Sequence, residues 1–525
     1  MLRKIILVVR KEISLCILSA FLLILSFPRF NFEFLAWVGF VPLFLAIRDK
    51  PKIKAFLLSY LTGIIFWLGI IYWLVHVTLP GMILLVLYLA LYFGIFGFII
   101  STIDYKPSTM NLLFIPSLWV LLEYLRSHLL SGFPWALLGY CQYLNLPVIQ
   151  IADITGVWGV SFLIMMINVA IYSVVSCPLP ALPRRQAGDR QELSVVSRIK
   201  RFLFPILCVF IVLSYGYYKL HQTSNTKYQT LIRISVIQGN IPQELKWDAR
   251  LKDSIIDRYL TLTRQAIKDS PDLVVWPEAT IPAVLEEEPV FYERVKGFVK
   301  EIKTPILLGA ATRRNNLYYN SALLISSEGK LLDTYDKLHL VPFGEYIPLR
   351  KTLTFLETVV PIGDFTPGRE YTIFKIPAWS VGRPNNFGVL ICFEDLFPGL
   401  SRGFSRRGAD FIINITNDAW FQKTSSPYQH LQASVFRAVE NRLFLVRAAN
   451  TGISGFIAPT GGIISLVQDE LGRNIFISGY DTQEIVIPKK ELSFYTRYGD
   501  IFVIACFLFV LYAMVLRSRY RNIRS

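Results

Sequence analysis

The chain has 525 residues, 53% of them hydrophobic, and a formal net charge of +16; its mean hydropathy is +0.45. It is longer than one ordinary domain and too apolar to be wholly water-soluble. The basic excess falls in short connections and tails beside apolar runs, which is the pattern of membrane topology, and no groove-reading or base-stacking module accompanies it to suggest nucleic acid.

In chain order, hydropathy predicts a multi-pass α-helical bundle of about eight membrane spans. They fall near residues 12–28, 33–47, 55–75, 79–103, 110–126, 157–177, 202–218 and 498–516, each close to the ~20 residues a bilayer requires. The first run lacks an obvious small-residue cleavage site and is followed at once by another apolar run. It therefore reads as an uncleaved helix rather than a secretion signal. Arg3, Lys4, Arg10 and Lys11 precede the first span, and Arg48, Lys50, Lys52 and Lys54 follow the second. Lys106 follows the fourth, a basic stretch from Arg184 to Arg201 follows the sixth, and Arg517, Arg519, Arg521 and Arg524 close the chain. The alternate connections PRFNFE and HVTLPG are nearly free of Lys and Arg, so both termini are expected in the cytoplasm and the region after the seventh span outside it. Glu123 and Arg126, at the end of the fifth span, are costly at such a depth unless they pair or reach water at the interface.

The expected organisation is three-part. Residues 1–220 carry the first seven spans, 224–495 form a second domain, and 498–525 hold the last span and a basic tail, with a polar linker at 221–229. In the second domain short β-rich runs such as DLVVWPE, PILLGA, FGVLICFED and DFIINITND alternate with the helical patterns RLKDSIIDRYLTLTRQAIKD and SPYQHLQASVFRAVENR. That alternation predicts a layered α/β domain.

The six cysteines are Cys16, Cys141, Cys177, Cys208, Cys392 and Cys506, and all but Cys392 lie within or beside apolar runs. Cys392 is the only one between about 222 and 497, so no disulfide can form inside that domain, and no CxxC or Cys/His cluster offers a metal site. Cys392 follows the apolar strand GVLI where the sequence turns charged, a strand tip of the kind on which open α/β sheets place their sites. Glu278 ends the apolar run LVVWP beside Trp276, where desolvation would favour a general base. Lys337, in TYDKLHLVPFGEY, can lend its charge to an oxyanion. His339 competes for the role of base, since a Cys-His pair is the commoner thiol arrangement.

WPEA, the lysine before LVPFGEY, and a cysteine after an apolar strand resemble the Glu-Lys-Cys triad of the nitrilase superfamily. With the flanking spans, the chain resembles the apolipoprotein N-acyltransferase family. GFPWALLGYCQ at 132–142, QGNIPQELKW at 238–247, YNSALL at 319–324, NDAWF at 417–421 and QHLQASVFRAVENR at 429–442 agree with it. The resemblance covers nearly the whole chain and implies a nitrilase-like α-β-β-α sandwich mounted on the membrane bundle.

The implied reaction has two steps. Glu278 deprotonates Cys392, whose thiolate takes an acyl chain from the sn-1 ester of a phospholipid. The α-amine of a diacylglyceryl-cysteine at an apolipoprotein N-terminus then takes the chain as an amide. Lys337 and a backbone N–H near Phe393 steady the oxyanions, Glu345 and Glu394 support the site, and Trp247 and Trp420 flank the lipid entrance. The stretch 354–368, apolar for a loop, is a candidate lid. Phe393 departs from the family's frequent tyrosine, keeping the ring and losing the hydroxyl.

The same resemblance implies no cofactor and no metal. It implies a monomer in a bacterial inner membrane, with the catalytic domain in the periplasm. An alternative is a membrane-anchored nitrilase-type amidase or hydrolase, which would share the triad. A non-enzymatic transporter or binding scaffold is disfavoured by the scarcity of intramembrane charge and the lack of a clear repeat.

Overall fold

The computed structural model describes residues 2–102, 109–176, 188–223, 228–346, 365–376, 385–488 and 491–524. The chain divides into two compact units, Met1–Leu220 with Asp500–Ser525, and His221–Gly499.

The first unit is helical. Among the described residues, Lys52–His76, Leu79–Ser101, Val157–Val175, Phe202–Gln222 and Ile501–Arg519 are each long and apolar enough to cross a membrane. The runs predicted near 12–28 and 110–126 fall largely in the helices Leu2–Leu25 and Thr109–His128, the second of which contains Pro116. The run predicted at 33–47 is broken into a 3-10 turn, Glu33–Trp37, and a seven-residue helix, Val41–Ile47. Even end to end these 15 positions rise only ~22 Å, short of the ~30 Å hydrocarbon core. The buried side chain of Asn168 meets the break: it accepts from Phe40 N at 2.8 Å and donates to Ala36 O at 2.8 Å. An interruption of helical bonding at such depth needs partners of this kind.

Glu123 and Arg126 are buried rather than in reach of water. Glu123 accepts the Leu138 N–H at 2.7 Å, while Arg126 donates to the carbonyls of Phe133 and Trp135 at 2.6 and 2.8 Å and lies 4.8 Å from the Trp67 ring centroid. Together they hold the GFPWALL segment. The polar stretch predicted as a linker at 221–229 is in part regular structure, since the helix Gly188–Thr223 precedes it and a strand begins at Tyr228.

The second unit is built on two sheets. The strands are β1 (Tyr228–Gln238), β2 (Leu273–Val275), β3 (Ile281–Val284), β4 (Ile306–Arg314), β5 (Leu317–Ile325), β6 (Leu331–Asp336), β7 (Phe374–Ile376), β8 (Asn385–Ile391), β9 (Phe411–Thr416), β10 (Phe444–Ala449), β11 (Gly455–Ile457), β12 (Ile463–Leu466) and β13 (Gly479–Pro488). One sheet runs β13-β1-β2-β4-β5-β6 with β3 on β4, and the other runs β12-β11-β10-β9-β8-β7. Contacts of β1 with β10 and of β5 with β8 set the sheets face to face. The helices Lys252–Ala266 and Pro289–Ile302 pack on the first sheet, and Pro398–Arg406 and Ser426–Asn441 on the second. This is the α-β-β-α sandwich expected from the sequence.

Local patterns explain the layers. Helix Lys252–Ala266 buries Ile255, Ile256, Tyr259, Leu260, Thr263 and Ala266, the three- and four-residue spacing of one helical face. Strand β9, FIINIT, is buried at every position. It lies parallel between β8 and β10, where both faces are covered and a continuous apolar run replaces alternation. Strand β1 pairs antiparallel with β13 along its length, from Tyr228 opposite Pro488 to Gln238 opposite Gly479.

Candidate active site

Parallel strands bring their carboxyl ends to one edge of each sheet, which is where α/β folds gather reactive groups. β2 leads through Trp276 and Pro277 to Glu278, and β8 leads directly into Cys392. Lys337 follows β6, its N–H donating to Asn320 O at 2.9 Å.

The Glu278 loop sits on Gly309 of β4, whose N–H donates to Pro277 O at 3.1 Å. A Cβ on Gly309 would come within 2.7 Å of both Glu278 Cα and Ala279 N. Only glycine allows the loop so close.

The structure brings three predicted residues and one unpredicted residue into a single network. Lys337 Nζ lies 2.9 Å from Glu345 Oε1 and 2.9 Å from its Oε2, and 3.7 Å from Glu278 Oε1. The Asn320 side-chain amide donates to Glu278 Oε1 and Glu345 Oε1, each at 2.8 Å. Glu345 Oε2 also accepts the Val341 N–H at 2.8 Å. Glu278 is 7% exposed and Lys337 only 1%, so these charges meet in a poorly solvated space. Burial alone would lower the Lys337 pKa, but the carboxylates of Glu345 and Glu278 carry it above its ordinary value. Lys337 is therefore a permanent cation.

Cys392 opens the 3-10 turn Cys392–Leu396 with φ at +54°, a left-handed conformation that costs a non-glycine residue free energy. Glu394, fully buried, helps to hold that turn. Its carboxyl accepts from Ile391 N at 2.7 Å, Leu338 N at 2.7 Å, His339 N at 3.0 Å and the Tyr335 hydroxyl at 2.9 Å. One carboxyl thus ties the segment after Lys337 to the Cys392 turn. Burial pushes its pKa up to about 7, against the pull of those donors and of Lys337. Burial, then the charge of Glu278, raise the Cys392 thiol above its ordinary range, opposed by Lys337. The sulfur therefore rests as a thiol, and it can act as a nucleophile only with a base to take its proton.

Behind the turn lies a cluster that sequence reading missed. Asp395, from the same turn, and Asp418, from the turn after β9, both face His430 and Arg447. His430 Nε2 is 2.7 Å from Asp395 Oδ1, and its Nδ1 is 3.0 Å from Asp418 Oδ1. Arg447 Nη1 donates to Asp395 Oδ2 at 3.0 Å, and Nη2 to Asp418 Oδ2 at 3.3 Å. All four are buried. Burial and Arg447 lower the His430 pKa, but the two aspartates outweigh them and raise it to about 9. Arg447 Nη2 also lies 2.8 Å from His430 Nδ1, so with the ring protonated the two carboxylates hold two cations in contact.

The remaining predicted residues fall as follows. The Phe393 ring lies 5.2 Å from that of Phe397 and 6.2 Å from that of His339, whose own ring is tilted 39° against Phe397 with centroids 3.9 Å apart. Trp247 and Trp420 are 37% and 47% exposed, so neither is a core aromatic. Of the stretch 354–368, positions 354–364 lie outside the described residues, as does Cys177. The end of that stretch is fastened beside the network, Phe365 N to Glu345 O at 2.9 Å and Gly368 N to Lys337 O at 2.8 Å. The motif YNSALL contains Asn320 and QGNIPQELKW contains Lys246, but sequence spacing alone gives no reason to single either out. Lys246 is 3% exposed and donates to the Glu278 backbone carbonyl at 3.1 Å.

Comparison with known proteins agrees along the length of the chain. Residues 19–170 match the apolipoprotein N-acyltransferase N-terminal domain, and residues 233–489 match carbon-nitrogen hydrolase. An apolipoprotein N-acyltransferase of Geobacter metallireducens is 39% identical over 95% of this chain and 93% of its own length. Apolipoprotein N-acyltransferase 2 of Treponema denticola is 31% identical over 81% of this chain and 80% of its own length. Among solved structures, an amidase from Nesterenkonia sp. is 18% identical with a TM-score of 0.38, covering 52% of this chain and 95% of that one. With both domains matched in tandem and a relative this similar over almost its entire length, the chain belongs to the apolipoprotein N-acyltransferase family.

Proposed function

We propose that this protein transfers a fatty acyl chain from a phospholipid to the α-amine of an apolipoprotein's diacylglyceryl-cysteine, through a thioester on Cys392. The observation that carries the reading is the buried Glu278–Asn320–Glu345–Lys337 network, set beside a cysteine in a strained strand-end turn. Glu278 takes the thiol proton as sulfur attacks the sn-1 carbonyl carbon. Lys337 and a backbone N–H near Phe393 receive the oxyanion, and collapse expels the lysophospholipid, which leaves with the proton from Glu278. The amine then attacks the thioester, and the amide product is the more stable acyl derivative.

The supporting roles follow from the contacts. Glu345 fixes Lys337, Glu394 fixes the nucleophile turn, and the exposed rings of Trp247 and Trp420 offer apolar contact to the lipid chains. The five long apolar helices support anchorage in a bilayer. Leu2–Leu25 and Thr109–His128 add two further spans. Glu33–Ile47, too short to span as one straight helix, must also cross as a broken segment if both termini are to lie on the basic, cytoplasmic side. The positive-inside pattern then favours an inner-membrane protein whose catalytic domain faces the periplasm, and the family resemblance adds that it acts as a monomer.

Intact-protein mass spectrometry of the purified full chain, incubated with phospholipid in mixed micelles, tests the reaction. A fatty-acyl mass on the wild type and none on C392S is the expected result. Turnover to N-acylated lipopeptide without any adduct under matched conditions would defeat the covalent route. Hydrolysis of the adduct with no transfer to a diacylglyceryl-cysteine peptide would favour an amidase-like hydrolase.

A further inference from the structure

Lys246 has no place in the mechanism above, yet it is enclosed beside the base. Its ammonium carries three N–H donors, and among the described residues the Glu278 carbonyl at 3.1 Å is its hydrogen-bond acceptor. The charges of both Glu278 and Cys392 act on it. A buried cation that uses one donor of three has two left to give, and leaving them unmade is costly unless another acceptor meets them.

Charge balance says where that anion forms. At rest Lys337 faces the carboxylates of Glu345 and Glu278. Lys246, on the Glu278 backbone carbonyl and within reach of that residue's charge, adds a second cation. Around the base two cations thus stand against two carboxylates, Glu394 being held apart by its own donors at the Cys392 turn. In the tetrahedral state the thiol proton sits on Glu278, and the negative charge has moved to the former carbonyl oxygen. Two cations again face two anions. Lys337 alone would leave Glu278, Glu345 and the reacting group one negative charge in excess in both states. In a medium of low dielectric such an excess is costly.

We propose that Lys246 is a second cationic catalytic residue, donating with Lys337 to the oxyanion formed on the acyl-Cys392 unit. This rests on the acyl-transfer reading of the site. The step balances as follows. The Cys392 sulfur bonds to the ester carbonyl carbon, the C=O π pair moves to oxygen, and the thiol proton passes to Glu278. The C=O bond then re-forms as the bond to the glycerol oxygen breaks, and that oxygen leaves with the proton from Glu278. Lys246 supplies charge and two N–H donors and exchanges no proton. Burial lowers its pKa to about 8, with Glu278 and Cys392 pulling the other way. Its charge is therefore present at neutral pH and lost as pH rises through that value.

The test is the single-turnover rate of acyl-adduct formation, read by intact mass from pH 6 to 10. The full-length protein is presented with dioleoylphosphatidylethanolamine in mixed micelles. In the wild type the rate is expected to fall above about pH 8. K246M should lower the rate at pH 7 by about 100-fold, the scale of losing one oxyanion donor. K246R keeps the charge at every pH, and should recover to within about 10-fold of the wild type and lose the alkaline fall. A K246M rate equal to wild type, a K246R as slow as K246M, or an unchanged alkaline fall in K246R would each overturn the assignment. These outcomes are separate from failure of the underlying reaction. If the wild type forms no adduct, or C392S forms one, it is the thioester route that fails.

Discussion

Replacing His430 by glutamine should loosen the nucleophile turn, and the structure sets the size of the effect. The imidazolium is held between Asp395 and Asp418, with its pKa raised from 6.5 to about 9. At about 1.4 kcal/mol for each pKa step, that difference represents about 3 kcal/mol of favourable interaction. Breaking a buried ion cluster by removing one member typically costs about 3–5 kcal/mol, so two independent routes agree. The sign follows from the raised value. The stabilisation is complete below about 6.5, still largely present at pH 7, and lost as pH rises through about 9. H430Q leaves two aspartates facing Arg447 alone, at every pH. Hydrogen–deuterium exchange of peptides covering 392–396 and 418–421 is the assay, with intrinsic exchange corrected for pH. The wild type should lose protection between pH 7 and 10. H430Q should be about 100-fold less protected at pH 7, with little further pH dependence. Wild-type protection in H430Q at pH 7, or an alkaline loss that survives the substitution, would refute the view that a charged His430 braces the turn.

Two further substitutions probe the base loop and the turn. G309A forces a methyl group against Glu278 Cα and Ala279 N, which should cost about 1–3 kcal/mol in thermal unfolding. It should also lower kcat well beyond any change in KM, because the base is displaced; wild-type kcat would show that the loop adapts. F393Y adds only a hydroxyl to a ring packed on Phe397. Steady-state acyl transfer should stay within about threefold of wild type, the scale of a ±0.5 kcal/mol substitution, whereas a tenfold gain would assign the missing hydroxyl a chemical role.

Much of the site was legible because its residues lie on short, distinctive motifs at strand ends. Glu278 after LVVW and Cys392 after GVLI could be placed from the apolar runs that precede them. The lysine needed the family resemblance, since nothing in YDKLHL separates a buried cation from a solvated one. Asn320, Lys246 and the His430 cluster were hidden for a different reason. Their meaning lies in contacts between segments far apart in sequence, such as Asp395 with Arg447 or Lys246 with Glu278, and periodicity does not report those. The fold shows the same division. The covering helices Lys252–Ala266 and Ser426–Asn441 follow their sequence patterns, whereas the pairing of β1 with β13 joins the first strand to the last. The break at 33–47 was missed because hydropathy outweighed the local signals Gly39 and Pro42 that mark it, and the group that satisfies it, Asn168, lies on another helix.

That pairing of the first strand with the last has a consequence for biogenesis. Tyr228 lies opposite Pro488, so the chain enters and leaves the sandwich at neighbouring points of one sheet. A domain interposed in this way burdens the helical unit with little more than a short connection, since its two ends are already close. It also delays completion of the domain. Strand β1 emerges early from the ribosome but must wait for β13, made just before the final apolar helix, to cover its edge. Until then an apolar strand stands open to wrong partners. The exposed interval of the sheet therefore lasts from the making of β1 until the ten residues of β13 are made and close it.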